Sequence, residues 1–138
     1  MSRVGEAAPA TTSPAGRAGR PVVVGLLVLS VVVQLVVLYS PEGGGPALFP
    51  QVDKVVHLLV FLVPVALAVV AGFRRGAVVA VFAAQAVLSE VVQATVLPNR
   101  SGDVVDAVAD LTGVALGVLV GTAVLRMRES RGAGRPPA

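Results

Sequence analysis

RSGDVVDAVADLTGVALGVLVGTAVLRMR, residues 100–128, carries three patterns along one helical length. Asp103, Asp106 and Asp110 step by three and then four residues, so they share one helix face. Gly113, Gly117 and Gly121 continue that face downwards. Their spacing is the small-xxx-small run that lets a second backbone approach closely in lipid. Arg126 and Arg128 close the segment, and the apolar length between about Val104 and Leu125 is sufficient to cross a bilayer. Polar above and glycine below describes a face turned towards other helices.

Three more segments of this kind lie upstream. The first runs from Pro21 to Ser40; it is longer than a signal-peptide core and no small-x-small site follows before Pro41, so it reads as a retained helix. PEGGGPALFPQ at 41–51 is rich in breakers and reads as a loop. The second span, DKVVHLLVFLVPVALAVVAGF, ends at Arg74 and Arg75, with a kink expected at Pro64. The third runs from Gly76 to about Val96 and carries Gln85, Glu90 and Gln93. The expected fold is an all-α membrane protein, four transmembrane helices packed as a small bundle over residues 21–125. Tails at 1–20 and 126–138 read as disordered and cytoplasmic.

Composition agrees: 138 residues at 55% hydrophobic and 14% charged are too few and too apolar for an ordinary soluble enzyme. Cysteine is absent, which removes disulfides and thiolate metal sites. The net charge of +3 is not a nucleic-acid footprint, because the arginines sit in tails and turns; no nucleic-acid partner is expected. The richness in Ala, Gly, Val, Pro and Arg suggests a high-GC bacterial genome. Arg3, Arg17, Arg20, Arg74, Arg75, Arg126, Arg128, Arg131 and Arg135 fall on one side of the spans, and only Lys54 and Arg100 on the other. The positive-inside rule then places both termini in the cytoplasm of a multi-pass plasma-membrane protein.

With that orientation, the outer ends carry Asp53, Lys54, His57, Glu90, Gln93, Arg100, Asp103, Asp106 and Asp110. Glu90 precedes Val96 by six residues, which puts it about 9 Å inside the outer end of its helix. A charge there requires a partner, water or a role. Asp103 reads as a helix cap. Lys54 reads as a side chain reaching for the interface, and Arg100 as an ion-pair partner fixing the turn between spans three and four or a grip on an external anion. For His57 the packing role, a hydrogen bond to Glu90 or Asp110, stands beside proton transfer, with Glu90, His57 and Asp110 as catalytic candidates. Metal binding by His57, Glu90, Asp106 and Asp110 is conceivable from ligand type, but no two of them form a recognised motif, and no phosphate loop or cofactor fingerprint is present, so no metal and no cofactor are expected.

The order DKVVH at 53–57, then Glu90 and Gln93 as ExxQ, then RSGDVVDAVADLTGVALG at 100–117 resembles the VanZ-like family of small membrane proteins, over roughly residues 39–125. Asp53, Lys54 and His57 match that family's Asp-Lys-x-x-His element. Glu90 and Gln93 match its Glu-x-x-Gln, while Arg100, Asp106, Gly113 and Gly117 match its last element. Asp110 departs, standing where many members carry Asn. The resemblance implies a cell-envelope role, since the founding member is associated with low-level resistance to teicoplanin, a lipoglycopeptide antibiotic.

Two function classes follow. The favoured one is a non-enzymatic module whose extracytoplasmic polar pocket, formed by Asp53, Lys54, His57, Glu90, Gln93, Arg100, Asp106 and Asp110, engages a membrane lipid headgroup or a lipid-linked envelope precursor. The alternative is a membrane-embedded enzyme acting on a lipid-linked phosphate. A small proton-coupled transporter is third: four helices can form a pathway as a homo-oligomer, but only Gln34 and Gln85 offer polar groups in the inner halves.

Overall fold

The computed structural model describes residues 14–40, 52–97 and 102–133, with side chains from residue 19 onwards in the first stretch. Four helices and no strand are found among them: α1 (Pro14–Tyr39), α2 (Val52–Val70), α3 (Arg75–Thr95) and α4 (Val104–Ala133). Each contains a segment long and apolar enough to cross a membrane. The four-helix all-α architecture expected from the sequence is therefore present.

The helix ends differ from the sequence boundaries in two places. α1 begins at Pro14, seven residues ahead of Pro21, and α4 continues to Ala133, past Leu125. Both helices thus enter stretches read as disordered tail. The local reason is composition: Ala, Arg, Met and Glu are strong helix formers, and an established helix extends through them once nucleated. The expected tails at 1–13 and 134–138, the 41–51 loop and Arg100 lie outside the described residues.

Close contacts fix the directions of the helices. A Cβ at Gly113 would collide with the Leu58 carbonyl, one at Gly117 would lie 2.7 Å from the Leu62 carbonyl, and one at Gly121 would lie 2.8 Å from that of Ala66. Both residue series rise together by four, so α2 and α4 run parallel in one continuous seam, the most extensive contact in the bundle. The glycine face inferred from the sequence is this seam. Where lipid surrounds the helices, apolar burial does not drive them together, and backbone approach of this kind supplies the dispersion that does.

α3 runs antiparallel to both, with Phe61 and Phe82 meeting edge to face at a centroid distance of 6.5 Å. α1 runs antiparallel to α2, and the Arg20 Nε–H donates to the Ala71 carbonyl across 3.3 Å. α2 stops at Gly72, whose φ of +87° is the left-handed conformation that suits glycine. The Gly72 and Phe73 amides turn back to the carbonyls of Val69 and Ala68, satisfying the last turn. Phe61, Val65, Ala68, Phe82, Ala86 and Val114 form the buried core. Outwards, Val22, Leu29, Val36, Val63, Val81, Leu88 and Leu119 are exposed and form an apolar sleeve suited to lipid.

Candidate functional site

The alternating directions gather the start of α2, the end of α3 and the start of α4 at one end of the bundle. Arg20, Arg74, Arg75, Arg126, Arg128 and Arg131 belong to the other end. Two linked clusters occupy the polar end.

The upper cluster centres on Lys54. Its ammonium donates to Asp53 Oδ2 at 3.0 Å, Asp103 Oδ2 at 2.8 Å and Asp106 Oδ1 at 2.7 Å. Three donors meet three carboxylates, so Lys54 is saturated and ties α2 to the first turn of α4. Snorkelling towards the interface is not what this lysine does. Asp103 is the N-cap of α4, as expected: its Oδ1 accepts the Val105 N–H at 2.8 Å. The Lys54 ammonium against its other oxygen holds the Asp103 carboxyl below the usual aspartate range, and the Val105 amide adds to that effect.

The lower cluster is buried. His57 Nδ1 lies 3.0 Å from Asp110 Oδ1 and 4.0 Å from Glu90 Oε1. Asp110 is fully enclosed, two turns into α4, and capping does not account for it. Glu90 has a second task that its sequence position did not reveal. Its Oε2 accepts the Asp103 backbone N–H at 2.8 Å, which satisfies one of the open amides at the start of α4 from a neighbouring helix. Gly102 permits this, because a Cβ there would lie 2.8 Å from the Glu90 carbonyl. One turn along α3, Gln93 is 2% exposed and completes the polar end.

Several buried atoms in this region have no hydrogen-bond partner among the described residues: Glu90 Oε1, Asp110 Oδ2, Gln93 Nε2, and both amide atoms of Gln34. Unpaired polar atoms are costly in an apolar setting, by several kcal/mol for a group that finds nothing to bond. Ser89 avoids that cost by donating to the Ala86 carbonyl of its own helix. His57, Glu90 and Asp110 each offer one ligand atom within 4.8 Å of the others, a donor set that could hold a metal ion.

Comparison with known protein families, curated proteins and solved structures returns no match. The site is therefore read from its own residues. Asp53, Lys54, His57, Glu90, Asp106 and Asp110 come together as the sequence spacing implied. Arg100 is outside the described residues. Gly102 and Ser89 were not singled out from sequence, although a glycine directly before a capping aspartate and a serine beside a membrane acid were available signals. Gln34, expected in the inner half of its span as a transporter candidate, is instead fully buried towards the polar end, because α1 runs antiparallel to α2 with Arg20 at Ala71 and Val33 in one groove with Leu59 and Val60.

Proposed function

We propose that this chain is a VanZ-like integral membrane protein whose polar end faces the extracytoplasmic side and engages a lipid headgroup or a lipid-linked envelope precursor. One observation carries the reading: acids and bases from three helices are concentrated at one end of the bundle, while the described arginines belong to the opposite end. By the positive-inside rule the arginine end is cytoplasmic. The polar end then lies at headgroup depth in the outer leaflet of a bacterial plasma membrane, where contact with envelope molecules contributes to glycopeptide or lipoglycopeptide tolerance.

The charges refine what is engaged. Among the described residues, Asp53, Glu90, Asp103, Asp106 and Asp110 face Lys54 and His57, and Lys54 is already occupied by three carboxylates. An acidic site favours the amine or hydroxyl of a headgroup over its bare phosphate. An apolar groove between α1 and α2, lined by Leu29, Val33, Leu59, Val63 and Leu67, offers room for an acyl chain. Native mass spectrometry of the full-length protein extracted with its lipids tests this. A headgroup class retained by wild type and lost in Glu90→Gln, with helical content unchanged, is expected; identical lipid profiles would refute it.

The His57–Asp110 pair favours a second reading. A histidine held at 3.0 Å by one carboxylate, with a second at 4.0 Å, is an arrangement that can take a proton from an attacking water and give it to the departing oxygen as the P–O bond of a lipid-linked phosphate is hydrolysed. His57, Glu90 and Asp110 are the catalytic candidates. Turnover of polyprenyl phosphate or pyrophosphate substrates in detergent, abolished by Glu90→Gln, is expected of an enzyme. Absence of turnover from protein that still retains lipid leaves the binding role.

A further inference from the structure

We propose that His57, Glu90 and Asp110 form a binding site for one divalent metal ion of the Mn2+ or Zn2+ class, enclosed among α2, α3 and α4. This stands independently of headgroup engagement.

The geometry comes first. Neighbouring ligands of an octahedral ion with bonds of about 2.1 Å lie about 3 Å apart, and opposite ligands about 4.2 Å apart. His57 Nδ1 and Asp110 Oδ1 are separated by 3.0 Å, and His57 Nδ1 and Glu90 Oε1 by 4.0 Å. The three donors all fall within 4.8 Å of one another. Each ligand can stand opposite only one other, so Glu90 Oε1 must also close to about 3 Å from one of its two partners, a movement of about 1 Å or more, before all three reach a single ion.

The unsatisfied atoms point to the ligand independently. Asp110 is fully buried, yet its Oδ2 has no partner among the described residues. Glu90 Oε1, on a side chain only 11% exposed and directed at His57, has none either. A cation held by both oxygens of Asp110 and by Glu90 Oε1 satisfies both unpaired atoms, and a buried carboxylate oxygen without a partner is otherwise costly. Lys54 does not serve, because it is committed to Asp53, Asp103 and Asp106.

The surroundings hold the donors as supporting groups hold metal ligands. Glu90 is anchored through its other oxygen to the Asp103 amide, which leaves Oε1 directed inwards. Asp110 sits one turn above Gly113, where α4 is locked against Leu58 of α2, itself next to His57. One imidazole and two carboxylates without thiolate suit Mn2+, Fe2+ or Zn2+ and not Cu(I). Three protein ligands leave positions open to water or a substrate oxygen.

Full-length protein in lipid nanodiscs, stripped with chelator and titrated with Mn2+, tests the site by electron paramagnetic resonance. Saturation at one Mn2+ per chain is expected, with Zn2+ competing, and with a hyperfine coupling from one imidazole nitrogen that disappears in His57→Gln. Glu90→Gln and Asp110→Asn should each weaken binding by about tenfold or more. Ser130→Ala, exposed at the opposite end of α4, should leave it unchanged. Wild type that takes up neither ion saturably, or bound Mn2+ without nitrogen coupling, overturns the site whether or not the variants fold. Retained lipid alongside absent metal binding would contradict the metal site alone.

Discussion

Gly117→Ala isolates the seam on which the polar site rests. An added Cβ would meet the Leu62 carbonyl oxygen at 2.7 Å, Val65 Cβ at 2.7 Å and Val65 Cγ1 at 2.8 Å, where ordinary contact begins at 3.4 Å. The helices must therefore part by about 0.7 Å, the difference between the first and last of those distances, in an interior that packs without slack. One obstacle is backbone and the others belong to a β-branched side chain stiff about χ1, so neither yields by rotation. Overpacking of this kind costs about 2–3 kcal/mol, towards the upper end of its usual range. Alanine's better helix propensity returns about 1 kcal/mol, for a net loss of about 1–2 kcal/mol. Gly25 is the control, because a Cβ there meets nothing within 4 Å and only the propensity gain remains. The two variants should differ by about 2–3 kcal/mol in reversible unfolding of micelle-embedded protein by SDS, followed by circular dichroism. Equal stability of Gly117→Ala and Gly25→Ala would refute the parallel α2–α4 contact.

Lys54→Gln should lower the unfolding midpoint clearly, because Asp103 and Asp106 lose their shared cation. Asp53→Asn should change stability by less than about 0.5 kcal/mol, as its carboxylate is 58% exposed. Asp103 gives a pH signature. Its folded carboxyl titrates below the unfolded one, so its contribution is complete above the ordinary aspartate range and is lost as pH falls through the lower folded value. The melting temperature should therefore fall below about pH 4, and fall less steeply in Asp103→Asn, which still caps α4. A double-mutant cycle of His57→Gln and Asp110→Asn should give a coupling of about 0.5–3 kcal/mol. Additive effects would separate the two residues energetically.

The sequence announces the parts of this fold that depend on local pattern. Four apolar lengths, the capping role of Asp103, and the stripe of Gly113, Gly117 and Gly121 all follow from spacing within single helices. Partner choice is different. Lys54 resembles any lysine at a helix end until α4 brings Asp103 and Asp106 beside it. Glu90 could be placed at depth, but its bond to the Asp103 amide depends on how closely Gly102 lets the turn approach α3. The donor set of His57, Glu90 and Asp110 draws one residue from each of three helices, so no ligand spacing along the chain could signal it. The helical stretches 14–20 and 126–133 were missed because the apolar pattern stops where the arginines begin, while helix propensity does not.

Cross-linking of paired cysteines in native membranes is the most direct test of a shared buried site, and the cysteine-free sequence makes the background clean. His57→Cys with Asp110→Cys, and His57→Cys with Glu90→Cys, should each be joined by the shortest bifunctional thiol reagent. Val63→Cys with Val108→Cys should not, since the seam register separates those two exposed residues by ten positions, about 15 Å along the helices. If the polar pairs remain unlinked while each thiol still accepts a single-site label, three helices do not bring their acids and histidine together, and the account is contradicted.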